Sequence, residues 1–323
     1  MYCKYKNEIL ILFISIVIFS CTFLTDNEPY IEPTYYLCLN NLDGDDQTIL
    51  FEKDYSGSQK MYLSNSDHVG YLSDTENVFF VNVETLDTLN FTCEPDGFAI
   101  SPNGETVIYQ QENTFYKYNT SSGETNLLLE FSNYWIDVSY PHFSPDNEKL
   151  IFFMQEQNIS NGNYTKNIIT YDMDEGILDT LHTIVSGEDT FIKMPRFSSN
   201  CGYIYFEYDT SIYKKELTNL ETFCIYQFGI RISDYTFSEN ENYLIVKTAY
   251  DTYYLTSDGM DIRMIKDGHN HTFLTDQQIL YSYNGIYIYN VNSGIREEII
   301  ERTRGVGYLK ERDQIVYIRG INE

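Results

Sequence analysis

Positive charge is scarce in this 323-residue chain: 21 Lys and Arg stand against 48 Asp and Glu, a net charge of -27. Such a surface repels a phosphate backbone, which excludes nonspecific binding to nucleic acid. Proline occurs seven times, tryptophan once and histidine five times. There is no Cys-x-x-Cys pair, and apart from His269 and His271 the histidines are scattered, so no zinc-site spacing emerges. A Gly-x-Ser-x-Gly hydrolase elbow is missing, as is a P-loop. The lone Trp135 has no Ser-x-Asp-x-Gly-x-Thr-Trp box around it. What the chain does have is Tyr (31) and Phe (20), within a hydrophobic fraction of 42%. That is ample for a packed core, excludes wholesale disorder and leans toward strands.

The long apolar run is confined to residues 9–19, preceded by Lys4 and Lys6. Eleven residues are too few for a comfortable span and fit the h-region of a signal peptide. Ile18-Phe19-Ser20-Cys21 resembles the bacterial lipobox. That resemblance implies cleavage before Cys21 and lipidation of its thiol; a plain secretory signal or an uncleaved anchor is the alternative. The expected layout is a signal peptide over 1–20, a lipidated tether over 21–34 and one globular domain over 35–323. The tether is acidic, holds Pro29 and Pro33, and reaches at most roughly 40 Å when extended. Thr22 follows the cysteine where inner-membrane retention would often show Asp, which points to the outer membrane. Of the remaining cysteines, Cys38, Cys93, Cys201 and Cys224 allow three disulfide pairings. Free buried thiols are the favoured reading.

A unit of self-similarity sets the fold expectation. Ile100-Ser101-Pro102-Asn103-Gly104 precedes an alternating strand through Val107 and Tyr109, and Phe143-Ser144-Pro145-Asp146-Asn147 precedes Leu150 and Phe152. Weaker copies begin at Phe197 and Phe237, degenerate ones at Leu63, Phe273 and Tyr308. Proline presets φ for the reversal, and Asp, Asn or Gly tolerate its positive φ. Strand alternation then places the residue before the Ser and the pair beyond the turn on one face. Between these units runs a second hairpin, as at Phe115-Tyr116-Lys117-Tyr118 with Ser122-Gly123. Two hairpins per repeat make a four-stranded propeller blade. The seven anchors recur about every 41 residues, within the range of propeller repeats. The last unit ends after two strands, and residues 36–51 supply a hairpin with no inner partner. A single all-β propeller of four-stranded blades, closed by pairing N-terminal with C-terminal strands, is expected, with seven blades favoured and six or eight the alternatives.

These motifs resemble the WD40-like repeats of TolB-type propellers, over residues 36–323. The resemblance implies a binding scaffold in the cell envelope. TolB itself carries an α/β domain before its propeller, and here only the tether precedes the first strand, so orthology is not implied. Similar propellers gate prolyl oligopeptidases, which need the hydrolase elbow this chain lacks.

No catalytic constellation and no cofactor site is expected, and the binding residues are left open. His142, beside the anchor Phe143, reads as a satisfied strand histidine; His269 and His271 read as loop residues near the channel mouth. Residues 41–46 alternate oxygen-bearing side chains but read as a hairpin turn, not a Ca²⁺ loop. The longest repeat holds two excursions, 156–167 and 184–194, read as loops where recognition could concentrate. The function expected is non-catalytic: a lipoprotein, monomeric, binding an envelope protein or a wall or polysaccharide component. The alternative is a propeller hydrolase or lyase acting on a carbohydrate, with acidic residues near the central channel. Basic partners would be steered toward the acidic surface, less so as salt rises.

Overall fold

The computed structural model describes residues 34–42, 47–54, 61–64, 67–72, 77–93, 97–131, 136–157, 163–186, 192–265, 269–301 and 303–321. The leader, Cys21, the tether up to residue 33, Trp135 and most of the 41–46 turn lie outside them.

Seven four-stranded antiparallel sheets form a propeller. Blade one spans residues 61–92, blade two 98–130, blade three 136–186, blade four 192–227, blade five 232–265 and blade six 269–301. Blade seven joins both ends of the chain. Its first two strands are Thr303–Leu309 and Gln314–Ile321, its third and fourth Thr34–Asn41 and Thr48–Asp54. Thr34–Asn41 pairs with Gln314–Ile321 along its whole length, Thr34 opposite Ile321 and Asn41 opposite Gln314. First strands of neighbouring blades pack on one another at six of the seven junctions, so they line the axis.

The core follows from period two. In the second strand of blade three, Leu150 and Phe152 point toward blade two, where they meet Ala99, Ile108 and Phe115. Ile151 and Phe153 point the other way, onto Phe197, Ile204 and Phe206 of blade four. A strand buried on both faces must be apolar throughout, which is why Leu150-Ile151-Phe152-Phe153 shows no polar alternation. Seven such clusters fill the seven gaps between blades. The closing one sets Leu37, Leu39, Val316 and Ile318 of blade seven against Val69 and Val81 of blade one.

The repeated serine of the turn motif is structural. Ser101, Ser144, Ser198 and Ser238 are buried, and each hydroxyl accepts the N–H that opens the next strand: Thr106 at 2.9 Å, Lys149 at 2.8 Å, Tyr203 at 2.9 Å and Tyr243 at 3.2 Å. Three residues after the serine the backbone turns left-handed, at Gly104 (φ 74), Asn147 (φ 65), Cys201 (φ 55) and Glu241 (φ 57). The first two suit that conformation; the weaker copies hold it with residues that prefer φ below zero. Neighbouring turns are also latched together: Ser199 N–H donates to Glu241, and Asn240 donates to Asp276 at 2.5 Å.

Two sequence expectations are corrected. Of residues 156–167, read as a loop, Glu156 and Gln157 and the stretch from Tyr164 belong to paired strands, while 158–162 lie outside the described residues. Likewise the fourth strand of blade three reaches Ser186, and blade four begins at Ile192. The long repeat is a taller blade, since β-branched and aromatic residues there keep the ladder going. The four described cysteines are free, but only Cys38 and Cys93 are buried; Cys201 is half-buried and Cys224 exposed.

Candidate functional site

The first strands of blades three and four share a local sequence that the turn motif overshadows: Tyr140-Pro141-His142-Phe143 and Met194-Pro195-Arg196-Phe197. Proline has no N–H for the ladder, so pairing with the second strand breaks at both places, between Ser139 and His142 and between Lys193 and Arg196. The residue before each proline, Tyr140 (φ 56) or Met194 (φ 49), takes a left-handed conformation that non-glycine residues avoid. Strain of this kind persists where its surroundings over-determine it. Around Met194 the cause is visible: the buried Tyr235 hydroxyl of blade five donates to the Met194 carbonyl and lies 3.0 Å from the Tyr205 carbonyl.

Beyond each bulge the anchor phenylalanine packs back toward the preceding blade, and the basic residue before it turns toward the following one. Arg196 reaches blade five, where Nη2 donates to Asp234 Oδ1 at 3.0 Å and the guanidinium lies 5.0 Å from the Tyr235 ring centre. Asp234 is held in turn by the Tyr235 N–H at 2.8 Å. With the Asp234 side chain 59% exposed, the pair adds little to stability and chiefly orients the guanidinium. His142 keeps an exposed edge, while the protein packed against its ring strips away part of its water and Arg196 stands near. Burial first and that cation second pull the imidazole down to about 4, so it is neutral at physiological pH. Its Nδ1 lies 2.8 Å from the Phe143 carbonyl, which fixes the proton on Nδ1 and leaves Nε2 as an acceptor. Asp137, second residue of the same strand, is pushed up by desolvation.

Deeper in blade four, Glu207 is fully buried with Lys193 directly opposite on the first strand. Burial pushes its carboxyl up to about 7, against Lys193 and Arg231, which draw it down.

The histidines singled out from the sequence do not converge. His142 lies on blade three, and His271 stacks on Tyr281 in blade six at 5.3 Å. His68 stacks on Phe80 in blade one, and His182 packs on Phe206. What sequence reading missed is the run His142, Arg196 and Asp234 along three successive inner strands, with Glu207 behind it. The signal available was the recurrence of a proline two residues before the anchor phenylalanine in two adjacent repeats.

No protein-family model and no curated protein sequence matches the chain. Solved structures do. An oligogalacturonate lyase in complex with manganese has a TM-score of 0.63 at 10% identity, covering 90% of this chain and 98% of that one. The oligogalacturonate lyase of Vibrio parahaemolyticus gives 0.62 at 12%, covering 91% and 99%. A TolB described from Agrobacterium tumefaciens gives 0.50 at 12%, covering 90% and 99%. At such identities the likeness establishes the fold, a seven-bladed TolB-like propeller, which serves both as binding scaffold and as enzyme. Among the described residues no three His, Cys, Asp or Glu side chains converge to hold a metal ion.

Proposed function

We propose that this chain is a non-catalytic recognition propeller of the cell envelope. It is exported by the leader over 1–20, lipidated at Cys21 and held at the outer membrane through the tether. The inner wall of blades three to five meets its partner, an envelope protein or a wall or polysaccharide component. One observation supports this reading above the others: the polar side chains of that wall are held in fixed directions, Arg196 by Asp234 and the neutral His142 ring by the Phe143 carbonyl. A rigid, mutually oriented set of donors and acceptors on an all-strand scaffold is suited to holding a ligand.

The second reading, a carbohydrate lyase, is favoured by His142 Nε2. A neutral base beside a guanidinium is what removal of a proton next to a carboxylate calls for, the cation stabilising the charge that develops. One assay separates the two. The purified protein is offered oligogalacturonate, other acidic and neutral oligosaccharides, wall sacculi and envelope proteins, with binding and product followed together. Retention without product, weakened at least tenfold in Arg196→Ala, supports recognition. Unsaturated product that disappears in His142→Ala overturns it in favour of the lyase.

A further inference from the structure

Glu207 is in an unusual position for a carboxyl group. It is fully buried, and neither carboxylate oxygen has a hydrogen-bond partner. An ionised carboxylate in that state has lost its water and gained no donor, which is costly unless a cation closes on it. Two cations are at hand. Lys193 is its register partner on the first strand of blade four, and Arg231 lies in the connection to blade five. Two carboxylates oppose them, Asp209 in the turn after Glu207 and Asp234 on the first strand of blade five; Tyr235 is the other titratable neighbour. Charge of both signs thus surrounds a group that pairs with none of it.

We infer that Glu207 is a proton-controlled switch in the wall of blades four and five: neutral and unpaired in the conformation described here, and on losing its proton to solvent drawn into a pair with Lys193 or Arg231. Pairing withdraws a cation from the wall that holds Arg196 and Asp234. The strained Met194 bulge, directly after Lys193, is the segment that must adjust. The biological consequence, weaker retention of an anionic partner group as pH rises, rests on the recognition reading above; the switch itself does not.

The direction follows from linkage. Burial is the largest influence on Glu207 and moves it from an ordinary 4.5 to about 7. The folded chain therefore keeps a proton that the unfolded chain gives up. Stability from this group is complete below about 4.5 and is lost as pH rises through about 7.

The test reads the proton and needs no ligand, so a failed capture assay leaves it intact. Infrared difference spectra of the full chain should show a protonated-carboxyl band at about pH 5.5 that fades with a midpoint near 7 and is missing in Glu207→Gln. Arg231→Met should move that midpoint up and Asp234→Asn should move it down, since the first removes a cation and the second a like charge. Backbone amides of 192–208, corrected for the intrinsic pH dependence of exchange, should change protection across the same interval in the wild type and not in Glu207→Gln. Absence of a band at pH 5.5, a midpoint at the ordinary carboxyl value, or indifference to both neighbouring substitutions overturns the inference. Should Glu207→Gln not fold, the two neighbouring variants carry the test.

Discussion

At the residue scale, the two proline bulges show how one missing N–H shapes a site. Pro141 and Pro195 interrupt pairing, the residue before each is forced left-handed, and the carbonyl at Met194 would be stranded without Tyr235. Tyr235→Phe keeps the ring under Arg196 and removes only the donor. The expected cost is about 1–2 kcal/mol of stability, the usual result of leaving a buried acceptor unpaired, read from chemical denaturation with an unchanged denaturant slope. A loss no larger than that of an exposed control such as Tyr250→Phe would show that the bulge is held by packing alone. A different constraint governs Gly104, where φ is +74 and an added Cβ would sit 2.4 Å from His68 Nδ1. There the need for glycine is backbone and steric at once.

At the scale of the element, the pattern of repeats was legible because each turn carries its own chemistry. Ser-Pro-Asn-Gly and Ser-Pro-Asp-Asn state a reversal, a buried hydroxyl and a left-handed residue in four letters. The height of blade three was not legible, because extension of its strands to Gln157 and from Tyr164 depends on two strands supporting each other, which local propensity cannot express. The terminal strands gave a clearer signal, an outer hairpin at one end and an inner hairpin at the other. Removing residues 34–54 should expose the second strand of blade seven and uncover the face of blade one that holds Val69 and Val81. Aggregation, or a fall in melting temperature of more than about 10 °C, is expected for a loss of this size. Removal of 22–33 should leave melting unchanged. Equal tolerance of both deletions would refute closure by the N-terminal strands.

For the whole molecule, the net charge of -27 would steer basic groups toward its surface and repel anionic ones, and the proposed anchor can be tested directly. Cys21→Ser removes the thiol that lipidation requires, and the protein should move from the membrane to the soluble fraction on fractionation. Full membrane retention would favour an uncleaved anchor.

From the sequence alone came the blade count, the four-strand unit, the joining of the termini and the resemblance to TolB-type propellers, because period two and turn chemistry are written in neighbouring residues. Only the tertiary structure decided that His142, Arg196 and Asp234, each at least 38 positions from the next in sequence, stand on adjacent inner strands. It alone also left Glu207 buried opposite Lys193 without a hydrogen bond. A side chain's charge partners and solvent depend on which blades close around it, and ring closure brings together residues that local pattern keeps apart.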